Sequence, residues 1–511
     1  MTDSKWTTRV RRSATAAGGA LVLGAAVALG GTGPAQAGGT LTVGVETDFQ
    51  GFEALKAHVL GISANMVAVT LMDRLQELGD DGNIRPVLAL SSKASDDRMA
   101  WTFKLREGVK FHDGSDFTAE DVAFYFNRLL DPKNRYFGRL FISPIKEAKV
   151  TDNHTVTFHM HHPWVAMEEF GTTYSFSSFI GQTSSIESGD QNRKPAGTDP
   201  FVFKEWRAGD RLVVEKNPNY WDADKVSLDR IVFRVMPDPQ TRYASLQSGE
   251  VDIIWTDRGA SVLDAKKNAA LDLHSREGSG AAIIFLNNAK PPLNDVNFRR
   301  ALSHAWSQEI YVKASRRGTV PVVQHVLGPD SKCQIDNYRA HDSAKAKEYL
   351  AKVEGPKEVG LIHTATQRGR EFGEIYQQLA KKAGITMKLQ PVDQVQLRTL
   401  VFTNEYNMSG WRIADGAVQT QLFALLNSKS FYNLSRYKSE EMDKLVVQMR
   451  MSETLDDYDL NACAVIKKMH EDAMILLSGG RKHYAIARKS VSNVPPLWQG
   501  TIDARFIGVS D

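Results

Sequence analysis

Cysteine is nearly absent: Cys333 and Cys463 are the only two in 511 residues, and no Cys-x-x-Cys occurs. That excludes a zinc ribbon, a thioredoxin-type redox site and a disulfide-built scaffold. Whether the two pair or stay as buried thiols is left open by their distance in sequence. An excess of one charge is missing too. The chain carries 63 Lys and Arg against 60 Asp and Glu, and the basic surplus lies within residues 1–37, so neither nucleic acid nor an anionic membrane is indicated as partner. Catalytic signatures are also lacking: there is no Gly-x-Ser-x-Gly elbow, His-Glu-x-x-His, Walker loop or Gly-x-Gly-x-x-Gly. An enzyme is not expected, and the catalytic alternative left is an exported hydrolase with a triad assembled from distant residues.

Residues 1–37 read as a targeting segment. A basic start ends at Arg11-Arg12, the apolar run "ALVLGAAVALGG" follows, and "PAQA" sets Ala35 and Ala37 at the −3 and −1 positions of a cleavage site. The expectation is a signal peptide cut after Ala37, a mature chain from Gly38 and a periplasmic location. No Cys follows the run to carry a lipid, and "RRSAT" lacks the large apolar residue usual after a twin-arginine pair, so the general secretory route is favoured. The length calls for two or three lobes, and no repeat or low-complexity tract follows the signal region.

The stretch "KFHDGSDFTAEDV", Lys110 to Val122, gathers one histidine and four acids. Before it, Trp101, Phe103 and Leu105 alternate with polar residues and the pattern resumes at Val109 and Phe111, which predicts a hairpin. Thr118 with Asp121 reads as a capping box and Phe117 with Val122 as a hydrophobic staple, so the acids serve a helix start and His112 is no metal ligand. Elsewhere "LTVGVETDF", "IVFRVM", "AAIIFLNN", "EVGLIHT" and "ITMKLQPV" read as strands. They alternate with helical patterns that stop at Gly249 and Gly384, which argues mixed α/β lobes. In "NHTVTFHMHHPW", His159 and His161 would share one face of a strand, a pair suited to a borderline-soft metal, although a surface strand is the simpler reading.

"WTFKLREGVKFHDGSDFTAEDVAFYFNRLLDP" closely resembles the signature segment of the family 5 (peptide, nickel and opine type) extracytoplasmic solute-binding proteins of ABC importers, among them the dipeptide- and oligopeptide-binding proteins. Further matches follow in the family's order, including "GTDPFVFKEWRAGDRLVVEKNPNYW", "FLNNAKPPLNDVNFRRALSHAWSQE" and "RYKSEEMDKLV". The resemblance implies an α/β, two-lobe periplasmic binding protein of type II, cluster C-like, with an extra subdomain in lobe one. By that likeness lobe one spans 38–287 with its subdomain at about 85–199, lobe two spans 288–483, and 484–511 returns to lobe one. It also implies a monomer without cofactor that captures a small polar solute, a peptide, opine or similar amino compound, for a membrane permease and its ATPase subunits. A metal or metal-chelate receptor, of nickel or haem type, is the alternative within the fold.

A two-lobe receptor binds in its cleft, where charged anchors and aromatic faces meet the ligand. In "SGWRIADGAVQTQLF", Gly410 and Trp411 match the family's Gly-Trp. The Asp that follows it in peptide-binding relatives pairs with the ligand's amino group, but Asp415 comes one residue later than usual, beside Arg412. In "HTATQRGREFGEIYQQ", Arg368 and Arg370 lie near a helix start that favours anions, and Arg370 is nearer to the relatives' carboxylate-binding Arg. From lobe one, "ETDF" offers Glu46, Thr47 and Asp48, and "TTYSFSS" offers Tyr174, both as loops at strand ends.

Overall fold

Aliphatic, β-branched strands built on both sides of two long central ones form a ten-stranded mixed sheet in the computed structural model, which describes residues 39–57, 61–329, 331–335 and 340–510. The expected signal peptide and its cleavage site lie outside the described residues. Across the sheet the order is Thr386–Val392, Glu358–Thr364, Met408–Ile413, Leu271–Leu286, Ile475–Arg488, Ile253–Thr256, Thr40–Val45, Arg230–Val235, Arg211–Lys216 and Phe201–Arg207. All five strands read from the sequence are among them.

The two long strands, Leu271–Leu286 and Ile475–Arg488, run antiparallel from Leu271 opposite Arg488 to Phe285 opposite Ile475. On one side, Ile253–Thr256 and Thr40–Val45 run parallel; on the other, Glu358–Thr364 and Met408–Ile413 do. Thr256 pairs with Tyr484, and Ile413 pairs with Ala281. The carboxyl ends of both parallel sets therefore point at the middle of the long pair, near Gly278 opposite Arg481. That is the place where α/β sheets collect ligands, because the loops leaving strand ends are free to vary there. The register shifts between Gly278 and Ala281 and again between Ala282 and Ile283. Such bulges bend a strand and re-aim its side chains. Gly280, at φ +78, supplies the left-handed residue this one needs, and its N–H bonds to the Val326 carbonyl at 2.7 Å.

Helices Val296–Ala305 and Gln367–Lys382 enclose a core of Leu293, Phe298, Leu302, Trp306, Tyr376 and Leu476. A larger core joins Thr40–Val45, a separate four-stranded sheet and the helices Val418–Leu426, Glu440–Arg450 and Leu455–Glu471. Cys333 is joined to Cys463 on the last of these helices, with Cα atoms 5.2 Å apart.

The four-stranded sheet corrects one expectation. Ala100–Leu105 pairs with Ala89–Ala94 and Thr155–Met160, and does not form a hairpin with Val109 and Phe111. Phe103 meets Phe158 of the neighbouring strand edge-on at 5.4 Å. Val109 and Phe111 instead bond to Phe117 and Ser115 around the turn at Gly114, and Phe111 packs edge-on against Phe117. The capping box of helix Ala119–Leu130 is present: the Asp121 carboxylate accepts the Thr118 N–H at 2.9 Å, and Phe117 and Val122 are buried beside it. His112 is buried with both ring nitrogens engaged, Nδ1 accepting from the Gly197 N–H and Nε2 donating to the Asp199 carbonyl, and burial lowers its pKa to about 4.

Candidate functional site

At the middle of the long strands, charged side chains arrive from six elements. Glu46 follows Thr40–Val45 and Asp257 follows Ile253–Thr256, while Arg316 ends helix Gln308–Arg316 and Arg368 begins helix Gln367–Lys382. Arg412 and Arg481 stand on the strands flanking Leu271–Leu286, opposite Ala282 and Gly278.

Asp257 ties the two sides of the sheet together. One of its carboxylate oxygens accepts from Arg316 at 2.8 Å and also from Arg368. Burial alone would raise the Asp257 pKa; the two guanidinium groups outweigh it and hold the carboxyl far below the usual range. Arg368 is thus an ion-pair partner of Asp257, and Arg370 points out to solvent and donates to the Ala365 carbonyl at 2.6 Å. Thr366 caps that helix by accepting the Gly369 N–H.

Asp415 is buried and fastens the bulge. Its Oδ1 accepts from the N–H and the hydroxyl of Ser279, both at 2.8 Å, while Arg276 and His483 stand 3.7 and 3.5 Å from Oδ2. Gly278 is opposite because a Cβ there would meet the carboxylate at 2.4 Å. Burial raises the Asp415 pKa, but the contacts with His483, Ser279 and Arg276 outweigh it and keep the group ionised. His483 is itself pushed down by burial and is neutral at pH 7. The extra residue before Asp415 therefore has a structural reading: it sets this carboxylate over Ser279 instead of in open space. Arg276 in turn stacks on Trp498, 3.4 Å from the ring centre.

Arg412 and Arg481 differ from the others. Arg412 reaches water while protein surrounds its guanidinium on most sides, as in a narrow cleft; burial and then Arg368 lower its pKa, and Glu46 opposes them. Arg481 is pulled down to about 10 by burial and by Arg412. Among the described residues neither guanidinium has an ion-pair or hydrogen-bond partner, and the Arg481 Nε is buried without one.

Other expected residues are placed elsewhere. Trp411 is half-buried and packs on Phe285 and Phe402, the latter touching Phe137 and Tyr432. A Cβ at Gly410 would press on Phe372, so its small size serves packing. Asp48 accepts from Phe49 N–H and Trp206 Nε1 on one oxygen and from Gly209 N–H on the other, so both oxygens are engaged within the fold. Thr47 is exposed and bonds Ser63, whereas Tyr174 is buried against Arg74 at 4.2 Å. Glu46, offered together with Thr47 and Asp48, is the acid of that loop that reaches the cluster. Arg481 carried no local motif at all. His159 lies on Thr155–Met160, but the strand ends before His161, and among the described residues no group of three or more His, Cys, Asp or Glu is arranged to hold a metal.

Comparison with known proteins follows the same lines. Residues 83–433 match the family described as bacterial extracellular solute-binding proteins, family 5 Middle. The chain belongs to that family. A probable di/tripeptide-binding protein of Pseudomonas aeruginosa is 26% identical over 492 residues, covering 89% of this chain and 93% of the relative. Haem-binding protein A of Haemophilus influenzae is 27% identical over 425 residues, covering 76% and 77%. Two solved structures share the fold. The periplasmic binding protein AgaA from A. tumefaciens R10, in complex with agropinic acid, superposes with a TM-score of 0.82 at 24% identity over 93% of this chain and 99% of that one. DppA from Helicobacter pylori, in complex with a peptide, gives 0.83 at 22% identity over 93% and 98%. This family 5 protein therefore has the mixed α/β, two-lobe fold of the periplasmic binding proteins.

Proposed function

We propose that this protein is the receptor of an ABC importer: exported and cut after Ala37, it takes a small polar solute, a peptide or related amino compound, and hands it to a membrane permease driven by ATPase subunits. In this reading it is a monomer and performs no chemistry. Lobe one is 38–287 with its subdomain at about 85–199, lobe two is 288–483, and 484–511 returns to lobe one. The family membership supports the receptor role, and the names of the peptide-binding relatives support the solute class.

One observation carries the reading of the site. Strand ends from both sides of the sheet converge on Gly278 and Arg481, and there Arg412 and Glu46 keep charged groups without ion-pair partners among the described residues. A solute touching both lobes stabilises the closed arrangement by its higher affinity for it, which lets a permease distinguish loaded from empty receptor. The Asp257 pairs with Arg316 and Arg368 then act as the closure latch.

The test is mass spectrometry of the secreted protein and of what denaturation releases from it. A chain starting at Gly38 and one stoichiometric small molecule are expected. A secreted chain starting at Met1 contradicts the export reading, and turnover of an added peptide or ester contradicts the receptor.

A further inference from the structure

The protein's own acids do not neutralise the charge at the middle of the long strands. Arg276, Arg316, Arg368, Arg412 and Arg481 gather there against Glu46, Asp257 and Asp415. Asp257 is taken by Arg316 and Arg368, and Asp415 by Ser279 with Arg276 and His483 beside its second oxygen. Arg412 and Arg481 are left, each within reach of the other's charge. A guanidinium withdrawn from water without a partner destabilises a fold. Arg481, part-buried with its Nε enclosed and without a hydrogen-bond partner among the described residues, is such a group; Arg412, which still reaches water, stands beside it, and together they mark the place where an anion from outside completes the balance.

Their geometry narrows what that anion is. Arg412 and Arg481 rise from strands on opposite sides of Leu271–Leu286. The strands are about 10 Å apart, so the two side chains approach a small solute from two sides and need not share one carboxylate. Glu46 comes in from the end of Thr40–Val45, within electrostatic reach of both Arg412 and Arg368, and forms no ion pair among the described residues. Asp415 is unsuited to an amino group because Ser279 already occupies its Oδ1 and Arg276 and His483 flank its Oδ2.

We infer that the solute is an acidic amino compound with two carboxylates, one held by Arg412 and one by Arg481, and with its amino group facing Glu46. This rests on the receptor reading and narrows it, since neutral and basic peptides leave one or both guanidinium groups unpaired. Sites built to pair a polar group reject analogues that lack it much more strongly than apolar pockets reject a missing methylene. The selection for a second carboxylate is accordingly on the order of 30-fold or more.

The experiment is titration calorimetry of the full secreted protein, stripped of bound solute, with Ala-Glu, Ala-Gln, Ala-Lys, glutarate and butyrate. Ala-Glu should bind at least about 30-fold tighter than Ala-Gln, glutarate tighter than butyrate, and Ala-Lys weakest. In Arg412→Gln and in Arg481→Gln the Ala-Glu preference should fall to about threefold or less, while the unfolding midpoint of the stripped protein holds or rises, because a like-charge contact is relieved. Arginines that merely supported the fold would lower that midpoint and leave the preference intact. Equal affinity for Ala-Glu and Ala-Gln overturns the inference, as does a preference kept by both variants or no binding by any acidic member. None of these results touches the release of a solute on denaturation, so the receptor reading fails or stands separately.

Discussion

Asp415→Ala should weaken the fold far more than it weakens solute binding. The carboxylate accepts two hydrogen bonds from Ser279 at 2.8 Å and faces Arg276 and His483 from a buried position. Each hydrogen bond to a charged acceptor contributes about 1.5 to 3 kcal/mol. Removing the acceptor also leaves the Ser279 donors unsatisfied and Arg276 without its carboxylate. Together this amounts to about 3 to 5 kcal/mol, the range for breaking one side of a buried pair. A cooperative unit of about 470 residues unfolds with an entropy of about 1 kcal/mol/K, so the midpoint should drop by about 3 to 5 °C. Scanning calorimetry of the stripped protein measures this, and calorimetric titration should find affinity for an amino solute changed by less than about threefold. An unchanged midpoint with affinity lost by about 30-fold or more would refute the reasoning and return Asp415 to the role of amino anchor.

Asp257→Asn should lower stability at pH 6 by about 3 kcal/mol, since it leaves Arg316 and Arg368 without this carboxylate. The Asp257 pKa is depressed by folding, so its contribution is complete above the unfolded value and lost as pH falls below about 4; the gap between wild type and variant should close in acid, as thermal unfolding against pH will show. Cys333→Ser should cost about 4 kcal/mol, because the bond to Cys463 closes a long loop, and dithiothreitol should destabilise the wild type but not the variant. Replacing His159 and His161 together by Asn should leave solute affinity within about threefold and produce no metal-dependent heat on titration with nickel. A large loss restored by added metal would contradict it.

The strands were legible because each is a run of β-branched and aliphatic residues bounded by turn residues, and the helix at Ala119 was legible because its capping box and staple are local. Val109 and Phe111 misled for the opposite reason: alternation identifies a buried face but not the partner, and Thr155–Met160 took the edge expected for them. In the site, the loop "ETDF" ends where the strands converge, but which of its side chains is engaged elsewhere in the fold was not legible residue by residue. Asp48 is consumed by Trp206 and Gly209, more than 150 positions along the chain, and nothing beside it in sequence announces them. Asp415 shows the same limit. Its spacing after Trp411 is visible, yet its partner Ser279 lies 136 residues away in a bulge that only the Gly278 and Gly280 pair hints at. Arg481 is an ordinary strand residue until pairing brings it beside Gly278.

The most direct test of where this receptor holds its solute is a crystal structure of the secreted protein with the solute it carries from its own host. Density for a small molecule is expected between Arg412 and Arg481, with Glu46 at its amino end. Solute seated instead on Asp415, or in the separate polar pocket of about 510 Å³ lined by Asn288, Asn404, Arg436 and Lys438, would contradict the assignment of the site.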